Sequence, residues 1–273
     1  NGTISRESLA ALYQSVDFDS FELNNSGETI IKLNNEIELL MAFHFQFINI
    51  QIFPSERLEA IINFWNFAKK NKLENIAYSL TETILNSLEI KADYVNYSPQ
   101  IAMSYINNNN LNKAIDWITF YQKVNGVDDI NTLVNIIINF HSSNDLNTII
   151  DTMNNNYEDL RRYSGENSEE LFFILSKILL KNKTHYLPES FEEIYDERKT
   201  TSLHITENIE QAINNNNQNK FLIYSIISLN NKDWDEIHPS HLKLLLKGFL
   251  EYKNGILIKD IILENFKNYQ LIK

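Results

Sequence analysis

One ordered pattern of helical signals is written twice into this chain, near its start and again near its end. Residues 36–85 run as an apolar stretch, a short break, Pro54-Ser55, then two helical patterns meeting at Asn71-Lys72. Residues 219–266 run the same way: Phe221 to Leu229, a break, Pro239-Ser240, then two helical patterns meeting at Asn254-Gly255. With a one-residue gap after the proline, Ile61, Ile62, Phe67, Asn71, Leu73 and Leu80 align with apolar residues or Asn in the second copy. A single helical unit cannot bury its apolar face alone. Repetition therefore implies neighbours that stack, and a stack of hairpins presents an elongated surface.

The local signals agree. Only 6 Gly and 4 Pro stand among 273 residues, which removes the turn-makers that an all-β fold needs. Pro54, Pro99, Pro188 and Pro239 each precede helical spacing, and proline is tolerated in the first turn, where its missing N–H has no partner. Leu58, Ile61, Ile62, Trp65 and Ala68 fall on one helical face, and Leu73, Ile76, Ala77, Leu80, Ile84, Leu85 and Leu88 form the partner stripe. A second hairpin pairs Ile101, Ala102, Tyr105 and Ile106 with Leu111, Ala114, Ile115, Ile118 and Tyr121. Leu80 and Ile115 are expected to be buried at hairpin interfaces. The Asn runs at 107–110, 154–156 and 214–217 suit helix ends and turns, because Asn tolerates the left-handed conformation. Only residues 18–31, with Thr29-Ile30-Ile31, read as extended. The expected fold is all-α, an α-solenoid of about twelve to fourteen helices in antiparallel hairpins with short connections. It spans 1–273 as one elongated domain, with a subdivision at 1–160 and 168–273.

At Leu111-Asn112-Lys113-Ala114-Ile115-Asp116-Trp117 the chain resembles the second helix of a tetratricopeptide-type repeat, and Leu73-Glu74-Asn75-Ile76-Ala77 is similar. The resemblance, to tetratricopeptide-like or Sel1-like α-solenoids, covers about a third of the chain. A clean 34-residue period is absent, and the usual Gly and Tyr positions are not filled in order. The resemblance implies a scaffold whose concave face holds a partner, and it transfers no site residues.

Charge narrows the partners. The net charge of −12 repels nucleic-acid phosphates and anionic lipid surfaces, so a protein or peptide of neutral to basic surface is the expected partner. Lys69, Lys70 and Lys72, Arg161-Arg162, and Lys243 and Lys247 read as solvated helix ends. No apolar run approaches a membrane span, and no leader pattern opens the chain at Asn1-Gly2-Thr3. With no Cys, thiolate chemistry and disulfides are excluded. Walker, dinucleotide-glycine and GxSxG motifs are also absent. No cofactor is expected.

Two clusters retain chemical interest. His238 and His241, preceded by Asp233, Asp235 and Glu236, hold two of the residue types a metal uses, although the capped start of a helix explains the same residues. Glu189, Glu192, Glu193, Asp196 and Glu197 follow Pro188. Paired carboxylates there carry the alternative reading, an all-helical hydrolase, against the plain one of acidic first turns favoured by the helix dipole. His44, His141, His185 and His204 stand singly. Trp65 and Trp117 fall on buried stripes. Trp234 lies between Lys232-Asp233 and Asp235-Glu236 with no stripe to join, which makes it the candidate partner-binding anchor. The functional expectation is a non-catalytic helical-repeat scaffold, in a larger assembly or with a passing partner.

Overall fold

A computed structural model describes residues 4–33, 36–143, 145–163, 169–180, 198–230, 232 and 236–264. Among them all regular structure is helical, as sixteen α-helices and one 3-10 turn. The chain divides into two compact units, Asn1–Val134 and Asn135–Lys273, so the division falls inside a helix and upstream of the expected subdivision at 160–168.

The first unit contains α1 (Arg6–Gln14), α2 (Ser20–Asn24), α3 (Ser26–Leu33), α4 (Ile37–Ile50), α5 (Pro54–Lys70) and α6 (Glu74–Leu85). A 3-10 turn (Ala92–Tyr97) then leads into α7 (Ser98–Asn107) and α8 (Leu111–Asn125). From α4 to α8 each helix packs on the next, and α1 lies against α4 and α6. The stripe Leu58, Ile61, Ile62, Trp65 and Ala68 is buried as its spacing demands, with Trp65 and Trp117 each 3% exposed. The Trp65 indole N–H donates to Thr81 Oγ1 at 3.0 Å, so the buried ring leaves no polar atom unpaired.

Two expectations fail here. Residues 20–24 and 26–31 are helical, not extended. Asp19 caps α2 in a reciprocal capping box with Glu22, and Thr29 Oγ1 donates back to Glu22 O at 2.8 Å. These local bonds override the β-branched run Thr29-Ile30-Ile31. Ile115 is 44% exposed, whereas Leu80 is 5% exposed. The buried stripe of α8 is Ala114, Trp117, Ile118 and Tyr121. Trp117, Ile118 and Tyr121 lie within about 60° of Ala114 around the helix, whereas Ile115 lies about 100° away, beyond the edge of that stripe.

The second unit contains most of α9 (Asp129–Ser142), then α10 (Leu146–Asn155), α11 (Tyr157–Tyr163), α12 (Glu169–Leu179), α13 (Leu203–Asn214), α14 (Gln218–Leu229), α15 (Pro239–Glu251) and α16 (Gly255–Glu264). Here α13 and α14 form a hairpin, α15 lies on α12 and α13, and α16 lies on α15 and α10. Pro54 and Pro239 both occupy the first position of their helices, and Pro99 the second position of α7. Pro188 lies outside the described residues.

The recurring element is a turn. Lys72, Asn109, Asn216 and Lys253 all have positive φ, between 50° and 58°. After each, the next N–H donates five residues back: Leu73 to Ala68 O and Asn110 to Tyr105 O at 2.8 Å, Asn217 to Ala212 O and Asn254 to Phe249 O at 2.9 Å. This is the Schellman closure, which satisfies carbonyls orphaned at a helix end. The residue five beyond each turn, Ala77, Ala114, Phe221 and Ile258, is 0% exposed. Lys72 and Asn109 stand 37 residues apart, as do Asn216 and Lys253. The hairpins α5–α6 and α7–α8 therefore correspond turn for turn to α13–α14 and α15–α16. The sequence placed the last junction at Asn254-Gly255. The left-handed residue is Lys253 instead, and Gly255 opens α16, where an added Cβ would stand 3.2 Å from Leu146 N.

Candidate functional site

Of the residues that the sequence nominated, Trp234 lies outside the described residues, as do Asp233, Asp235, His185 and the acidic stretch from Glu189 to Glu197. The histidine pair is described, and its two rings serve different neighbours. His238 is the N-cap of α15, its Nδ1 accepting the Ser240 N–H at 3.2 Å. The His241 ring is buried and lies 2.9 Å through Nε2 from Ser228 Oγ. Ser228 Oγ already donates to Ser225 O at 2.7 Å, so the imidazole is the donor, through Nε2–H, in the bond between them. Burial, then the charges of Lys232 and His238, hold its pKa below the ordinary histidine value. Among the described residues no group of three His, Asp or Glu is placed to hold a metal ion.

The single histidines have packing roles or are exposed. His44 stacks against Phe64 and Phe67, with ring centroids 5.8 and 5.0 Å away, and burial pushes its pKa down to about 4. The pKa of His141 is lowered by burial and by Lys259. His204 is exposed at the start of α13.

One surface stands out from the rest, and the sequence reading did not name it. Helix α14 is turned inside out. Its buried residues are Phe221, Ser225 and Ser228, while Ile223, Ile226 and Ile227 are 57%, 71% and 52% exposed. The serines are accommodated inside by bonding their own helix, Ser225 Oγ to Phe221 O at 2.8 Å and Ser228 Oγ to Ser225 O. The helix is fixed in this rotation by Phe221. That ring meets Phe249 and Tyr252 of α15 at 5.3 and 5.2 Å and lies over Gly248, where a Cβ would come within 2.2 Å of it. The Ser228–His241 bond is a second tie to α15.

The exposed isoleucines lie at i, i+3 and i+4, and so form one contiguous face. Asn219 and Asn230 bound it along the helix, both exposed and uncharged. On the α13 side Lys220 reaches Gln211 Oε1 at 3.5 Å and lies over the Tyr224 ring. Helix α13 itself carries exposed Leu203, Glu207 and Glu210, and it contains no Lys or Arg. A protein surface usually scatters its large apolar side chains; here three are grouped on one helix face with polar residues buried behind them.

The chain matches no family model, no curated protein and no solved structure at a significant level.

Proposed function

We propose that this chain is a non-catalytic helical scaffold that binds a protein or peptide partner, and that the outward face of α14 is a contact surface. The observation that carries this reading is the inverted helix. Burying the three isoleucines in place of Ser225 and Ser228 would stabilise the unit by about 1.5–3 kcal/mol per side chain. The fold forgoes that gain and holds the isoleucines in water, an arrangement that makes sense when a partner covers them. The fourfold hairpin turn supports a repeat-built scaffold of tetratricopeptide-like kind. The net charge of −12 favours a neutral or basic partner surface over nucleic acid. No described helix is long and apolar enough to cross a membrane.

The test is cross-linking capture from native cells with the wild-type chain and with a chain carrying Ile223→Ser, Ile226→Ser and Ile227→Ser. The reading expects equal melting temperatures for the two chains and loss of the captured protein from the triple variant. Undiminished capture by a folded triple variant would remove α14 as the contact surface.

A further inference from the structure

We propose that Asn125-Gly126, at the joint between α8 and α9, is a modification site where the asparagine converts spontaneously to aspartate and isoaspartate through a succinimide. The reaction consumes only water, and it loosens the joint that it alters.

Asparagine is abundant in this chain, and the fold selects among the copies. Succinimide closure requires the backbone nitrogen of the next residue to reach the side-chain amide carbon, and a small next residue leaves that approach open. Among the described residues Asn25, Asn86, Asn125 and Asn254 precede Gly or Ser. Three of them have their amides engaged. Asn25 Nδ2 donates to Phe21 O at 3.0 Å, Asn86 Oδ1 accepts from Lys113 Nζ at 2.5 Å, and Asn254 Oδ1 accepts the Leu257 N–H at 3.2 Å. Gly255, which follows Asn254, is also buried against Leu146. Asn125 is exposed, and its side chain makes no hydrogen bond to a described residue. Gly126 is exposed with φ 81°, and an added Cβ there would meet nothing within 4 Å. The Gly126 N–H donates to Gln122 O at 2.9 Å, the closing bond of α8, and helix ends open most readily.

The step balances with water alone. The Gly126 nitrogen gives its proton to hydroxide and attacks Asn125 Cγ. The bond from Cγ to Nδ2 breaks, and ammonia leaves with a proton drawn from water, which restores the hydroxide. Water then opens the five-membered imide at either carbonyl. Opening at Cγ gives aspartate, and opening at the backbone carbonyl gives isoaspartate, whose main chain runs through Cβ and Cγ. Either product places a carboxylate in the last turn of α8, where the unpaired carbonyls repel it. It arrives three residues before Asp128, which closes this joint. Asp128 Oδ2 accepts the Tyr121 hydroxyl at 2.6 Å, and Oδ1 accepts the Asn131 N–H at 2.8 Å. Isoaspartate also adds a carbon to the main chain of the same connection.

The test ages the full chain and an Asn125→Gln variant at mildly acidic and mildly alkaline pH, followed by digestion and mass spectrometry. The wild-type peptide containing residue 125 should gain about one mass unit and split into two isomers, aspartate and isoaspartate. It should do so faster at the higher pH. It should also react at least roughly tenfold faster than the peptides containing Asn25, Asn86 and Asn254, whose bonds must first open. The aged wild-type chain should melt below the fresh chain, and aged Asn125→Gln should not. An unchanged peptide at 125, or equal rates at the four positions, would overturn the site. Aspartate as the single product would overturn the succinimide route. Equal melting of aged and fresh wild-type chain, with residue 125 converted, would overturn the loosening of the joint.

Discussion

Gly248→Ala should destabilise the protein, although alanine is the better helix former. In an open helix interior the change gains about 0.8–1 kcal/mol. At this position the new methyl would stand 2.2 Å from Phe221 Cε2 and 2.4 Å from its Cζ. The ring cannot retreat cheaply, because it is 0% exposed and held against Phe249 and Tyr252. Overpacking of this kind costs about 1–3 kcal/mol, and so close a contact belongs at the upper end. The net loss should be about 1–2 kcal/mol, or roughly 2–8 °C in melting temperature. Urea melts followed by circular dichroism at matched slope measure it. A smaller residue at the partner position should relieve the clash. The cycle with Phe221→Leu should therefore show a coupling of about 0.5–2 kcal/mol in favour of the double variant. A neutral or stabilising Gly248→Ala, with no coupling to Phe221, would refute the docking of α14 on α15 and with it the outward aim of the isoleucines.

Leu80→Ala should cost about 2–5 kcal/mol in the same melts, whereas Ile115→Ala, at a half-exposed position, should cost under about 1 kcal/mol. His44 is neutral in the fold, with a pKa near 4, against about 6.5 when unfolded, so the unfolded chain binds the extra proton between those values. Stability should therefore fall as pH drops from about 6.5 to 4, by up to about 3 kcal/mol, and then level off. His44→Leu should remove that part of the pH dependence, while His141 and His241 continue to act in the same direction. Lys253→Gly should stabilise by up to about 1 kcal/mol, because it relieves a non-glycine residue at φ 50°, and Asn216→Ala should lose a similar amount.

What the sequence made legible was whatever repeats with a helical period on one side. Leu58, Ile61, Ile62, Trp65 and Ala68 could be assigned to the core because polar residues fill the opposite face of α5. The asparagine runs at 107–110 and 214–217 were readable as turns because Asn tolerates the left-handed geometry that Asn109 and Asn216 adopt. Lys72 and Lys253 adopt it too, and no local signal distinguishes them from ordinary helical lysines; only the fold imposes their geometry. Ile115 misled because it stands at the edge of the α8 stripe, about 100° from Ala114, where an apolar residue in the sequence does not show on which side of the edge it falls. The rotation of α14 was hidden for a related reason. Phe-Leu-Ile-Tyr-Ser-Ile-Ile-Ser-Leu is apolar on nearly every side, so periodicity selects no inward face. The ring of Phe221 over Gly248, two residues far apart in sequence, makes the choice. Trp234 drew attention through its charged neighbours alone, whereas the isoleucine face rests on burial, which no residue list displays.

The absence of cysteine allows the inverted helix to be tested directly, because a single introduced thiol is unique in the chain. Ile226→Cys and Ser225→Cys place that thiol on opposite sides of α14, and the rate of modification by a maleimide under native conditions reports which side is open. The thiol at position 226 should react at the rate of an unfolded peptide. The thiol at position 225, behind which lies a residue surface only 3% exposed, should react at least roughly a hundredfold more slowly, limited by opening of the fold. Fast labelling at 225 with protection at 226 would contradict the rotation of α14 and remove the surface on which the proposed function depends.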